Sequence, residues 1–209
     1  MTRNRSIALV AGLVAGLAAP LTAAGTLSSF EPAPTAEAAA ESAKRTGDTA
    51  PDVTLTNTDG ERVTLGTLLE DGPVVMIFYR GSWCPICNGS LKKFDKLHSE
   101  FESAGATVIG VAPELPASAL AFEEKNGFRL GIYSDVGSEA AQAFGVSYEA
   151  PSNYARFLRQ ANGDGPLQLP LGVTYVINTD RTISWSFVED NYRKRAKAKD
   201  ALEAVESIN

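Results

Sequence analysis

The sequence predicts an α/β domain with a central mixed β-sheet and helices on both faces. Residues 74–79 form an uninterrupted apolar run, as is typical of a central strand that is covered on both sides. Residues 85–103 follow, and large apolar residues recur there every three or four positions from Leu91 to Phe101, which predicts a helix with one buried stripe. Strand-like and helix-like segments alternate through the rest of the chain, and this order indicates a layered α/β domain.

The elements around this central strand and helix can be assigned in order. Residues 53–56 and 62–65 lie on either side of Asp59-Gly60, which predicts a β-hairpin. Residues 67–71 predict a helical turn, and residues 106–111 a second central strand.

Shorter elements are predicted in the second half of the chain. Gly127 and Gly145 each end a helical pattern. Residues 148–170 are polar and irregular and contain Asn162-Gly163-Asp164-Gly165-Pro166, so we predict a loop with locally packed aromatic residues. The remaining predicted elements are helix 117–126, strand 128–133, helix 138–144, a hairpin of strands 173–178 and 182–188, and helix 196–207.

Length and charge limit the function classes. A chain of 209 residues can hold one domain with a sizeable core. The formal net charge of −6 argues against a nucleic-acid partner, which would require a basic surface. We interpret the short basic run Arg193-Lys194-Arg195 as a solvated face.

The N-terminus has the pattern of an export signal. Arg3 and Arg5 precede an uncharged, Ala-rich stretch that continues to Leu27, and small residues follow it. We therefore predict a signal peptide or membrane anchor over residues 1–27, a linker over 28–46 and the folded domain over 47–209. The expected location is extracytoplasmic, periplasmic or secreted, with membrane contact only if the N-terminal segment is retained.

The two cysteines of the chain are three residues apart, in Trp83-Cys84-Pro85-Ile86-Cys87. If Cys84 is the N-cap of the helix, Pro85 occupies the first helical position, where its fixed φ is favourable. The unpaired N–H groups of the first turn then favour a thiolate at Cys84 by about 0.3–1 kcal/mol, and by up to about 2 kcal/mol in a partly buried site. Arg80 could add to this effect if its side chain turns toward the sulfur. We predict Cys84 as the nucleophile and Cys87 as the resolving thiol.

Other uses of the two thiols are less favoured. A structural disulfide would close a very short loop and would stabilise the fold little. A structural zinc site usually needs four protein ligands, whereas the chain offers two cysteines and one histidine, His98. We therefore predict redox chemistry with no bound metal or cofactor.

The stretch 47–207 resembles the alkyl hydroperoxide reductase and thiol-specific antioxidant family, in its peroxiredoxin-like branch with a thioredoxin-type dithiol. The resemblance rests on Gly47-Asp48-Thr49-Ala50-Pro51-Asp52, on the run from Val75 to Asn88 with Arg80-Gly81-Ser82-Trp83-Cys84-Pro85-Ile86-Cys87, on Thr174-Tyr175-Val176-Ile177-Asn178, and on the run from Phe187 to Arg195. It implies a thioredoxin-like fold.

The sequence also departs from the family pattern. Aligned on Phe78-Tyr79, Arg80 replaces the usual Pro, Cys84 replaces the usual Thr, and Cys87 falls at the peroxidatic position. The alignment thus favours Cys87 as the attacking thiol, whereas the helix start favours Cys84. The usual active-site Arg and the cis-proline of the thioredoxin family both fall near Gly172, two residues after Pro170.

The main functional hypothesis is a thiol peroxidase with Cys84, Cys87 and Arg80 as catalytic residues. A thioredoxin-like protein disulfide oxidoreductase is the second hypothesis, and a non-enzymatic redox sensor or metal-binding dithiol is the third. The expected partners are a peroxide or protein disulfide as substrate and a thioredoxin-like dithiol as electron donor. Predicted substrate-binding residues are Trp83, Pro85, Gly172 and Val173; Trp83 would shield the sulfurs, and Val173 would offer backbone groups to a partner.

Overall fold

Residues 34–208 are described by a computed structural model, and nine strands and eight α-helices are found among them. The strands are β1 (Thr54–Thr56), β2 (Arg62–Thr64), β3 (Val74–Phe78), β4 (Thr107–Ala112), β5 (Gly131–Ser134), β6 (Ser147–Glu149), β7 (Gln168–Pro170), β8 (Thr174–Ile177) and β9 (Ile183–Phe187). The helices are α1 (Ala36–Ser42), α2 (Leu65–Leu68), α3 (Pro85–Asp95), α4 (His98–Ser103), α5 (Pro116–Asn126), α6 (Glu139–Ala143), α7 (Ala155–Asn162) and α8 (Ala198–Glu206).

Seven of the strands form one mixed sheet, in the order β2-β1-β5-β4-β3-β8-β9. β3 and β4 are parallel, as are β4 and β5, whereas β8 runs antiparallel to both β3 and β9. Both predicted hairpins, β1–β2 and β8–β9, are confirmed. β6 and β7 form a separate antiparallel pair.

Each face of the sheet supports its own hydrophobic core, which explains why the central run is apolar throughout. Alternate residues of β3 point to opposite faces. Val74, Met76 and Phe78 belong to the core that α1, α2, α6 and α7 cover, and Val75 and Ile77 belong to the core under α3, α4, α5 and α8. The predicted fold class, a mixed sheet with helices on both faces, is confirmed.

The helix predicted over residues 85–103 is two helices, because the chain turns at Lys96 and Leu97. The Asp95 carbonyl accepts a hydrogen bond from the Arg129 guanidinium at 3.0 Å, and the Asp95 carboxylate accepts from the backbone N–H groups of Arg129 and Leu130. The strand predicted over residues 128–133 is also shorter in the structure. The backbone N–H groups of Arg129 and Leu130 are bonded to Asp95, and strand pairing in β5 begins at Gly131. The break coincides with this tertiary contact, and no Gly or Pro lies at residues 96–97.

The prediction of a loop over residues 148–170 is wrong. This segment contains α7 and β7, together with most of β6 and a short 3-10 turn. A helical signal was present, because Tyr154, Leu158 and Ala161 recur at i, i+4 and i+7 and pack on the core side.

The described part of the predicted linker is also structured. α1 lies within residues 28–46, begins with Thr35 as its N-cap, and buries Ala39 against the core. The packed structure therefore begins before Gly47. The predicted export segment, residues 1–27, lies outside the described residues. Between residues 34 and 208, the structure contains no helix with the length and apolar character needed to span a bilayer.

Candidate active site

The dithiol lies where the chain leaves β3 and begins α3. Cys84 is the N-cap of α3, in extended backbone conformation, and Pro85 is the first helical residue. The Cys84 Sγ accepts a hydrogen bond from the Cys87 backbone N–H at 3.4 Å. The two cysteines form a disulfide with Cα atoms 5.3 Å apart, and both residues are fully buried. In the reduced protein, a thiolate at Cys84 would face the partial positive charge of the helix start.

Arg80 supplies a full positive charge to the same sulfur. Its Nη2 lies 3.3 Å from the Cys84 Sγ, and only 5% of the residue is exposed. The guanidinium is surrounded by aromatic faces, with the ring centroids of Trp83, Tyr154 and Tyr192 at 5.4, 5.0 and 4.5 Å. Such cation–π contacts hold a guanidinium in place without neutralising its charge. The charge therefore remains available to the sulfur.

A second guanidinium lies against the other sulfur. Arg195 Nη2 is 3.4 Å from the Cys87 Sγ, although the two residues are 108 positions apart in the chain. Burial, together with the nearby charge of Arg80, lowers the pKa of Arg195 to about 10. Arg195 thus remains a cation at neutral pH. The interpretation of the run 193–195 as a solvated face is wrong for Arg195.

Neither guanidinium is paired with a carboxylate. The ion pairs found among residues 34–208 are His98–Glu102 and Lys194–Glu189, and neither involves Arg80 or Arg195. The buried Arg80 and the half-buried Arg195 lie beside a neutral disulfide, whereas a thiolate would compensate their charges. In the reduced protein, these two charges would stabilise a thiolate over a protonated thiol.

Gly172 makes room for Arg195. A Cβ atom built at Gly172 would lie 2.4 Å from the Arg195 Cζ, which no real contact allows. The family pattern expects an arginine near this position of the sequence, and here the guanidinium of Arg195 fills the adjacent space. Arg195, from the segment after β9, thus places a positive charge next to Gly172, where the side chain of residue 172 is absent.

A buried carboxylate holds the loop that carries Trp83 and Cys84. Glu114, which is fully buried, accepts hydrogen bonds from the Ser82 backbone N–H at 2.9 Å and from the Ser82 hydroxyl at 2.7 Å. The Tyr79 hydroxyl donates to it at 3.5 Å. Burial raises the pKa of Glu114, and the bonds from Ser82 oppose this rise by stabilising the carboxylate. Sequence analysis missed this residue, since a single Glu after a strand carries no motif.

The backbone of the same loop requires glycine at position 81. Gly81 has φ of +143°, and a Cβ there would lie 2.4 Å from the Trp83 Nε1. The Trp83 ring stacks on Phe157 and packs at a tilt against Tyr154, with centroid distances of 5.4 Å to each. Trp83 therefore packs with α7 and its preceding turn and forms one wall around Arg80.

The other predicted substrate-binding residues occupy different settings. Val173 is fully buried; its N–H donates to the Leu171 carbonyl and its own carbonyl accepts from the Phe78 N–H, both at 2.9 Å. Its N–H is thus already used within the domain, and the expectation that Val173 offers backbone groups to a partner finds no free donor there. Pro170 is preceded by a trans peptide bond, like every described residue.

The structure offers no obvious metal centre in its described part. Across residues 34–208, no three or more His, Cys, Asp or Glu side chains are grouped in a way that could hold a metal ion.

Fold and site together define a class of protein. A mixed sheet with helices on both faces, carrying a disulfide at the start of the helix after a central strand, is a thioredoxin-like arrangement for thiol redox chemistry. The model of the AhpC/TSA family matches residues 46–186, about two thirds of the chain, and the chain belongs to this family. Tyr192 and Arg195 lie beyond the matched region.

Relatives and solved structures agree with this assignment. A protein of Mycobacterium tuberculosis strain H37Rv, named as a candidate peroxiredoxin, is 30% identical over 164 residues, which cover 78% of this chain and 97% of that protein. The crystal structure of peroxidoxin BcpB from Mycobacterium tuberculosis is similar with a TM-score of 0.67 at 28% identity, covering 79% of this chain and 98% of that one. A structure of Xanthomonas campestris peroxiredoxin Q supports the fold, with a TM-score of 0.61 at 22% identity and coverage of 79% and 96%.

The main functional hypothesis, a thiol peroxidase, is therefore confirmed for the activity, whereas the catalytic roles of Cys84, Cys87 and Arg80 stay predictions. The protein is a thiol-dependent oxidoreductase of the peroxiredoxin type, which reduces peroxides, and its two cysteines, Cys84 and Cys87, form a disulfide. The alternatives of a protein disulfide oxidoreductase and of a non-enzymatic dithiol domain are less favoured.

Proposed function

We propose that Cys84 is the thiolate that attacks the peroxide and that Cys87 resolves the product. The observation that carries this assignment is the double contact of the Cys84 Sγ, with Arg80 Nη2 at 3.3 Å and with the Cys87 N–H at 3.4 Å. Cys87 has one such contact, from Arg195. Of the two thiols, Cys84 thus has the better-stabilised anion.

The proposed cycle has two steps before reduction. The Cys84 thiolate attacks one peroxide oxygen, the O–O bond breaks, and the other oxygen leaves as an alkoxide or hydroxide that takes up a proton from water. Cys84 is then a sulfenic acid. Cys87 attacks this sulfur, the disulfide forms, and water leaves. Arg80 is placed to stabilise both the initial thiolate and the negative charge that develops on the leaving oxygen.

The burial of the sulfurs supports a small substrate. Both cysteines are fully buried in the disulfide state, under Arg80, Arg195 and the aromatic rings. A peroxide is small enough to enter such a site. A thioredoxin-like dithiol donor then returns two electrons to the Cys84–Cys87 disulfide.

Single-cysteine variants test the assignment. We expect reduced Cys87→Ser to react with hydrogen peroxide close to the wild-type rate and to accumulate one sulfenic acid at Cys84, trapped by dimedone and located by mass spectrometry. Cys84→Ser should lose the fast reaction. Fast oxidation of Cys84→Ser, with the trapped adduct on Cys87, would overturn the proposal in favour of the alignment with the family pattern.

We also propose that the chain is exported, on the basis of the predicted segment 1–27. The support is its two arginines, its uncharged Ala-rich stretch and the small residues after it. Expression of the full chain, followed by fractionation and N-terminal sequencing, tests this. A mature N-terminus between residues 24 and 41 in the extracytoplasmic fraction is expected, whereas an intact chain in the cytoplasm contradicts it.

A further inference from the structure

A shallow groove runs along the outer side of α3, next to Cys87. Its volume is about 400 Å³, within the roughly 300–1,000 Å³ range of small-molecule sites. It is lined by Ile86, Gly89, Ser90, Lys93, Arg193 and Arg195. Arg195 connects the groove to the chemistry, because it lines the groove and its Nη2 is 3.4 Å from the Cys87 Sγ.

The groove is strongly cationic in a chain whose formal net charge is −6. Lys93, Arg193 and Arg195 contribute three positive charges, and the lining includes no acidic residue. The nearby carboxylate of Glu189 is paired with Lys194 at 3.0 Å. No ion pair among the described residues involves any of the three cations. Ile86, which is 37% exposed, adds an apolar surface at the same place.

The identity of the leaving thiolate decides which sulfur of the Cys84–Cys87 disulfide the reductant attacks. Thiol–disulfide exchange is faster when the departing thiolate is the more stable one. If Cys84 leaves as the thiolate, as in the proposed function on which this step rests, the incoming thiolate must attack the Cys87 Sγ. The sulfur to be attacked is thus the one in contact with Arg195, which lines the cationic groove.

We propose that this groove binds a small carboxylate-bearing thiol, which reduces the disulfide directly as an electron donor additional to the dithiol protein. The carboxylate pairs with Arg195 and the two exposed cations, and its carbon chain lies on Ile86. The thiolate of the donor attacks the Cys87 Sγ, the Cys84–Cys87 bond breaks, and Cys84 leaves as a thiolate. A second donor thiolate attacks the donor sulfur of the mixed disulfide. Two donor thiols are thereby oxidised to one disulfide, and Cys87 is released as a thiolate that takes up a proton.

A charge series of monothiols tests the site on the isolated disulfide form, without peroxide. The probes are 3-mercaptopropionate, 2-mercaptoethanol and cysteamine, which carry an anionic, a neutral and a cationic group. Rate constants are expressed per thiolate and corrected for thiol basicity with a Brønsted coefficient of about 0.4–0.5. The change of intrinsic Trp fluorescence on reduction reports the rate, and mass spectrometry locates the mixed disulfide.

We expect the corrected rate constants to decrease in the order anionic, neutral, cationic thiol. The rate with 3-mercaptopropionate should saturate with concentration, and the mixed disulfide should form on Cys87. Lys93→Gln and Arg193→Gln should each lower the ratio of the anionic to the neutral rate by about two- to fivefold, the effect of one exposed ion pair. Lys92→Gln is the matched control, because Lys92 is the adjacent lysine on α3 and does not line the groove. It should leave this ratio unchanged.

Two results would overturn the proposal. One is an equal corrected rate for anionic and neutral thiols in the wild type. The other is an equal fall of the ratio in Lys92→Gln and Lys93→Gln, which would indicate general electrostatics rather than a site. Because the assay starts from the disulfide and uses no peroxide, a failure here leaves the peroxidase assignment standing, and a failure of the peroxide assay leaves this measurement interpretable.

Discussion

The contact between Arg80 and Cys84 predicts a large, pH-dependent loss of activity in Arg80→Met. Two unit charges 3.3 Å apart interact by about 5 kcal/mol at an effective dielectric constant of about 20. The guanidinium charge is spread over three nitrogens, so the effective interaction is weaker than this value. We take the usual effect of a close opposite charge, which lowers the pKa of an acidic group by about 1–3 units, or about 1.4–4 kcal/mol. The thiolate population near pH 7, and with it the rate of peroxide attack, should fall about 10- to 1,000-fold.

The assay is stopped-flow Trp fluorescence of the reduced protein mixed with hydrogen peroxide, from pH 5 to pH 10. The loss in Arg80→Met should shrink as the pH rises and the thiol ionises without help. Methionine keeps apolar contact with the three rings around position 80, and thermal unfolding checks that the fold is retained. Arg80→Lys, which preserves the charge, should recover part of the rate.

Arg195→Met is the matched control, because it removes the guanidinium at the other sulfur. If Cys84 attacks, Arg80→Met should slow the peroxide step more than Arg195→Met does. Our reasoning would be refuted if Arg80→Met reacted at the wild-type rate at pH 7, or if its loss were the same at pH 7 and pH 10. An equal loss at both pH values would mean that Arg80 does not act by stabilising the thiolate.

Three further perturbations follow from the same structure. Gly172→Ala places a methyl group where the Arg195 guanidinium lies. Because the flexible Arg195 side chain can move away, we expect little change in melting temperature. The rates of peroxide oxidation and re-reduction should then resemble those of Arg195→Met, and wild-type rates would contradict this. Glu114→Ala removes the acceptor of the Ser82 bonds, so the free energy of unfolding should fall by about 1–3 kcal/mol in denaturant titrations, more than in Glu114→Gln, which keeps an acceptor. Burial raises the pKa of Asp135 from 3.8 to about 6, so the native state holds this proton to higher pH than the unfolded chain does. Its contribution to stability is therefore greatest below pH 4 and declines by up to about 3 kcal/mol as the pH rises to about 6, a decline that should be missing from the pH profile of Asp135→Asn.

Local sequence signals predicted the local geometry around the dithiol well. The spacing of Cys84 and Cys87, with Pro85 between them, predicted the helix start, and Arg80 was singled out because it lies four residues upstream at the end of a strand. These residues are close in the chain, so the geometry of one strand, one turn and one helix is enough to bring them together.

Contacts between distant segments were beyond such reasoning. Glu114 reaches Ser82 because β4 lies beside β3 in the sheet. Tyr154 reaches Arg80 from the turn that precedes α7, in a segment for which the sequence predicts a loop. The break at Lys96 has the same origin, since it is linked to a bond from Arg129 and not to a breaker residue. Which segments meet depends on strand pairing, and one sequence does not reveal that pairing residue by residue.

The sequence by itself determined that the protein carries a redox dithiol at the start of a helix on an α/β sheet, because hydrophobic period, proline position and cysteine spacing are local properties. Only the tertiary structure decided that the dithiol has two guanidinium groups, one for each sulfur. Arg195 comes from a segment without regular structure after β9, and Gly172 leaves the space for it. The position of that guanidinium depends on the packing of the complete domain around Cys87, so the short motif cannot encode it.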